Sequence, residues 1–155
     1  MKKTWWKVPV YYVLLGCVCY LLEFQLLVRF GLITTPDGAL TPDNTSWLLI
    51  NASLFLLGLL VAFFLFRRIS RRDLLCSAGI TVALNVVLGG LSLVNWEVNS
   101  FFWRISLGWG TVLTAWDDFV EQLLTAGGLN QILTAVILWL LPLLFALFGK
   151  KADAS

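Results

Sequence analysis

The chain has no histidine, one methionine and three scattered cysteines, and only 13% of its 155 residues are charged. Without histidine, most metal sites and the Ser-His and Cys-His nucleophile schemes are excluded. The shortage of charge excludes more. A soluble domain needs roughly a quarter of its residues charged to cover its outside, and a disordered chain needs more polarity still. Here 59% of residues are hydrophobic and mean hydropathy is +0.87, so lipid is the solvent for most of the chain. The net charge of +2 is too small for a nucleic-acid partner, and the basic residues lie in short runs rather than along one face.

What is present is four long apolar runs. A spanning helix needs about 20 residues, because a hydrocarbon core of about 30 Å is crossed at about 1.5 Å per residue. Residues 8–28, 47–66, 74–94 and 129–148 meet that length, and the last three hold no charge. The first is interrupted by Glu23 and Gln25 but keeps enough Leu, Val, Tyr and Phe to insert. These spans predict an all-α fold, an integral membrane four-helix bundle of up-down-up-down topology, as a single membrane domain over residues 1–155. Pro142 is expected to kink the fourth span by leaving the carbonyl of Leu138 without its helical donor.

Orientation follows the basic residues. Lys2, Lys3 and Lys7 precede the first span, Arg67, Arg68, Arg71 and Arg72 fill the turn between the second and third, and Lys150 and Lys151 follow the fourth. If every span crosses, all three groups fall on one side, which the positive-inside rule makes the cytoplasm. Both termini are then cytoplasmic in a multi-pass protein of the cell membrane. Trp5 and Trp6 mark the inner boundary, and Trp47 and Trp96 the outer one. Leu14-Leu15-Gly16-Cys17 resembles a bacterial lipobox, but the apolar run continues through Leu22 where a lipoprotein has a polar tether, so cleavage is the lesser alternative.

Two outer loops are expected. Residues 31–46 carry Pro36-Asp37-Gly38 and Pro42-Asp43-Asn44, which stop a helix, with Thr45 or Ser46 as the N-cap of the second span. Residues 99–125 form an outer amphipathic segment, opening with a short aromatic, interfacial piece at 99–107 that Gly108 and Gly110 separate from a helix. Its helix, from about 111 to 125, puts Val112, Leu113, Trp116, Phe119, Val120, Leu123 and Leu124 on an apolar face and Asp117, Asp118, Glu121 and Gln122 on a solvated one. That face is expected to cap the outer mouth of the bundle. Asp117 and Glu121 are spaced to chelate a cation weakly, although a solvated acidic face accounts for them more simply.

Polar groups inside a bilayer need partners. Small residues line one face of each of the first three spans: Gly16 on the first, Gly58 and Ala62 on the second, Ala78 and Thr81 on the third. Counted from the outer ends, Gln131 lies about 3 Å deep, Asn51 about 6 Å, Thr134 and Glu23 about 8 Å, and Asn85 about 14 Å. Glu23, Asn51, Asn85, Gln131 and Thr134 are the candidate intramembrane polar cluster, lining a vestibule open to the outside. Glu23, the only acid within a span, is the kind of group on which proton-coupled carriers exchange a proton for a cation. The plainer reading is a structural acid oriented by Asn51 or Asn85. Cys17, Cys19 and Cys76 read as small apolar filler.

The composition and layout point to a non-enzymatic membrane protein without cofactor, catalytic residue or metal. It would be an accessory or assembly subunit or a small homo-oligomer, with lipid and a membrane-protein partner or second copy around it. The alternative is a small proton- or cation-coupled carrier using Glu23.

Overall fold

The structure, a computed structural model, describes residues 4–94 and 115–150, the side chains of 88–94 excepted. The aromatic piece expected at 99–107 and the start of the amphipathic helix at 111–114 lie outside the described residues, as do Lys2, Lys3, Trp96 and Lys151. The described chain is mostly helical. Helices α1 (Lys7–Phe30), α2 (Asn44–Phe66) and α3 (Arg71–Val94) are followed by α4 (Asp118–Ala126) and α5 (Gln131–Leu140), which runs into a 3₁₀ stretch, Leu141–Phe148. Among the described residues, three segments are long and apolar enough to cross a membrane: α1, α2, and α5 with its 3₁₀ continuation.

Local chemistry sets the ends. Pro9 sits in the first turn of α1, where the missing N–H has no helical acceptor to lose. The helix then continues unbroken through Cys17, so the lipobox-like residues lie mid-helix. The N-cap of α2 is Asp43, not Thr45 or Ser46: its carboxylate accepts from Ser46 N at 2.9 Å and Ser46 Oγ at 2.6 Å. A carboxylate is the stronger acceptor for the exposed N–H groups and positive end of a helix dipole. Asn130 caps α5 in the same way, accepting from Ile132 N at 2.9 Å. At Pro142 the segment changes pitch instead of merely bending. The Leu138 carbonyl finds its donor one residue early, at Leu141 N, and the tighter winding persists to Phe148.

Between α1 and α2 the chain forms a hairpin, with β1 (Leu32–Thr34) antiparallel to β2 (Leu40–Pro42) and Ile33 opposite Thr41. Gly38 turns it at φ 83°.

The opposite end of the molecule gathers three distant pieces of chain. Ser77 Oγ accepts from Val8 N at 3.0 Å and donates to the Trp5 carbonyl at 2.8 Å, so a hydroxyl of α3 caps α1. Lys150 N donates to the Ile69 carbonyl at 2.8 Å, and Arg71 N to the Lys150 carbonyl at 2.9 Å. Gly149 makes that approach possible, since a Cβ there would stand 2.8 Å from Arg71 Cα. Lys7, the arginines of the α2–α3 turn and Lys150 therefore share one end, and the hairpin lies at the other.

The buried faces are those with small or polar residues. Val8, Tyr12, Gly16 and Cys19 of α1 turn inward, as do Asn51, Leu54, Phe55, Gly58, Ala62 and Phe66 of α2. Tyr11 packs edge-on to Phe66 and Phe145, with centroids 5.3 and 5.4 Å away, and fills this end of the core. Large apolar side chains such as Leu21, Phe24, Leu56, Leu60, Ile132 and Leu147 point outward and are exposed, the reverse of a water-soluble pattern.

Candidate functional site

The amphipathic helix begins later than its periodicity predicts. Residues 115–117 form a turn, and helix starts only at Asp118. That turn enters the core instead of capping the mouth. Trp116, 1% exposed, stacks on Phe55 at 5.4 Å and 11°, meets Tyr12 edge-on at 5.6 Å, and lies 5.4 Å from Phe145. One indole thus joins α1, α2 and the 3₁₀ stretch. Asp117 follows it in and is fully buried, which corrects the expectation of a solvated acidic face. Leu123, expected on the apolar face, is half exposed.

Asp117 Oδ2 accepts from the Tyr12 hydroxyl at 3.4 Å, and Asn85 Nδ2 donates to that hydroxyl's oxygen at 3.2 Å. Helices α1 and α3 and the buried turn therefore share one polar chain. Asp117 Oδ1 and Trp116 Nε1 have no hydrogen-bond partner among the described residues. Burial holds the Asp117 carboxyl well above the usual carboxylate range, reinforced by the charges of Asp118 and Glu121. Asp118, less deeply buried, is pushed up to about 7 by desolvation first and then by Glu23 and Glu121.

Of the five expected cluster residues, the structure places Asn85 in this chain and the others elsewhere. Glu23 Oε1 accepts from Trp47 Nε1 at 2.6 Å, so an indole of α2 orients it instead of Asn51 or Asn85. Asn51 and Thr134 are buried, at 2% and 5% exposure, and their side-chain polar atoms have no hydrogen-bond partner among the described residues. Gln131 is exposed on the first turn of α5. Sequence reasoning missed Trp47 as the partner of Glu23, though both flank the same hairpin and an indole N–H near a membrane boundary needs an acceptor.

Toward the hairpin end, α2 and α4 enclose a groove of about 600 Å³ with Trp47 and Leu48 on one wall and Asp118, Glu121, Gln122 and Thr125 on the other. Glu23 stands behind Trp47, close enough to act on Asp118. Four acids, Glu23, Asp117, Asp118 and Glu121, thus run from this groove to the buried Tyr12 and Asn85. Among the described residues, no three His, Cys, Asp or Glu converge as metal ligands. The three cysteines are free thiols, Cys19 buried and Cys76 exposed. Compared with known proteins, the chain matches no family model, no curated protein and no solved structure.

Proposed function

We propose that the chain is a non-enzymatic multi-pass protein of the cell membrane, working as a small proton- or cation-coupled carrier. In this reading four segments cross the bilayer as an up-down-up-down bundle with both termini cytoplasmic. The observation that carries it is the file of acids from the groove to the Tyr12–Asn85 pair. Beyond that pair the aromatic packing of Tyr11, Phe66 and Phe145 closes the basic end. Acids reached from one side and sealed from the other suit a carrier resting open to the outside. In proteoliposomes with an imposed pH gradient, Glu23→Gln is expected to abolish proton-coupled uptake of cations while the protein stays folded, since Gln keeps an acceptor for Trp47 Nε1 but cannot ionise. Equal gradient-driven uptake by the variant and the native chain removes Glu23 from the mechanism.

A second reading, an accessory subunit or homo-oligomer, is favoured by α3. Gly79 faces open space and stands four residues before Ala83 on an exposed face, a spacing that lets another helix approach closely. Gentle solubilisation with a flux assay separates the readings: a stoichiometric foreign chain supports the subunit, a homodimer without gradient-driven uptake supports the homo-oligomer, and an isolated chain or homodimer with such uptake supports the carrier.

The orientation has its own test. Reporter fusions at Ser70 and Ser155 are expected to be active only in the cytoplasm, and one after Gly38 only outside. Neutralising Arg67, Arg68, Arg71 and Arg72 together is expected to give mixed insertion, because the remaining Lys bias is weaker. A single topology in that variant means that other features orient the chain.

A further inference from the structure

A second groove, of about 290 Å³, opens at the basic end between α1 and α2. Val10, Tyr11 and Leu14 form one wall, Leu65 and Phe66 the other, and Trp6 and Lys7 stand at its mouth. From Lys7 to Leu14 it descends about 10 Å along α1. Its shape is held from two sides. The Tyr11 hydroxyl donates to the Gly58 carbonyl of α2 at 2.5 Å, which occupies the polar end of that side chain and leaves its ring to the groove. Ser77 Oγ holds the Trp5 carbonyl and Val8 N, so the backbone on both sides of Trp6 and Lys7 is pinned to α3.

Position and charge together select what fills it. Leu14 and Leu65 are exposed at its flanks, on helices long and apolar enough to lie in lipid, and a cleft there forfeits dispersion contacts unless an acyl chain supplies them. A chain alone does not distinguish one phospholipid from another. The mouth does. Among the described residues that line the groove, Lys7 alone is charged, and it is half-buried, as a lysine is when its stem covers apolar surface and its ammonium keeps to the headgroup level. Arg67 and Arg68 directly after α2, and Arg71 and Arg72 at the start of α3, are exposed at the same end. Against them stands one acid among the described residues there, Asp73. Basic pockets between spanning helices suit acidic lipid headgroups, and an indole such as that of Trp6 favours the same level. We infer that this groove binds an anionic phospholipid, with one acyl chain between α1 and α2 and the phosphate on the Lys7 ammonium beside Trp6. The site requires that α1 and α2 lie in a bilayer and is independent of whether the chain carries a solute.

The test is native mass spectrometry of the full chain released from detergent micelles, with palmitoyl-oleoyl phosphatidylglycerol as the anionic probe and the phosphatidylcholine of the same chains as its zwitterionic counterpart. The expected result is one phosphatidylglycerol retained per chain, about fivefold or more tightly than phosphatidylcholine. Lys7→Gln is expected to bring phosphatidylglycerol down to the level of phosphatidylcholine, and Lys7→Arg to keep the preference. Arg72→Gln removes an equal charge outside the groove and should leave the preference unchanged. Val10→Trp fills the groove and should lose both lipids. Thermal melts check that each variant is folded, and the pair Lys7→Gln and Arg72→Gln decides the matter if Val10→Trp is not. Equal retention of the two lipids by the native chain, equal losses in Lys7→Gln and Arg72→Gln, or undiminished phosphatidylglycerol on folded Val10→Trp overturns the assignment. A homodimer that excludes lipid and is broken by Val10→Trp overturns it as well, and gives the groove to a second copy of the chain.

Discussion

Trp116→Ala is expected to destabilise the protein by about 4 kcal/mol, in the range for removing a fully buried indole. The indole is the shared neighbour of Tyr12, Phe55 and Phe145. Its loss opens a cavity between three elements and frees the turn that carries Asp117 inward. Trp116→Phe keeps a ring against Phe55 and Phe145 and should lose much less. Reversible denaturant titration in detergent, followed by near-ultraviolet circular dichroism, reads both. An unchanged midpoint in the Ala variant places the 115–117 turn outside the cooperative core.

The second large effect is a fall in stability as pH rises. Asp117 and Asp118 both hold their protons more tightly folded than unfolded. The folded state therefore binds more protons once pH exceeds the unfolded value of 3.8, and stability declines from there until the folded group ionises, near pH 7 for Asp118. Glu23 of α1 and Glu121 of its own helix both oppose the ionisation of Asp118, and Asp118 and Glu121 in turn raise Asp117. Tyr12 faces Asp117 as a donor, with Asn85 behind it. About 4 kcal/mol is at stake for Asp118 between pH 4 and pH 8, and Asp117 acts in the same direction. Asp43, held low by Ser46, acts in the opposite sense and only below about pH 4. Asp118→Asn should flatten the decline in thermal midpoint up to about pH 7, and Asp117→Asn should flatten it in the same direction. A midpoint that climbs through this window contradicts the buried acid pair.

The long helices were legible because run length alone specifies them. Expected limits of 47–66 and 74–94 became Asn44–Phe66 and Arg71–Val94, each extended at its start by polar residues that cap and do not span. Inward faces were legible too, since Gly16, Gly58 and Ala62 mark where helices approach. What escaped was anything depending on a break in period. A helical wheel drawn from residue 111 sends Asp117 to water, whereas a turn at 115–117 sends it into the core beside Tyr12. Pairings between elements escaped for a related reason. Asn51 and Asn85 were as plausible for Glu23 by depth as Trp47, and depth does not encode which faces meet.

The change of pitch at Pro142 also settles a length. As a continuous α-helix, the 18 residues of Gln131–Phe148 would extend about 27 Å, short of a hydrocarbon core of about 30 Å. The ten α-helical residues of α5 extend about 15 Å, and the eight 3₁₀ residues, at about 2.0 Å each, extend about 16 Å. Drawn out in this way, the segment reaches about 31 Å, long enough to cross a hydrocarbon core of about 30 Å. Proline here acts as a length adjustment, trading hydrogen-bond geometry for reach.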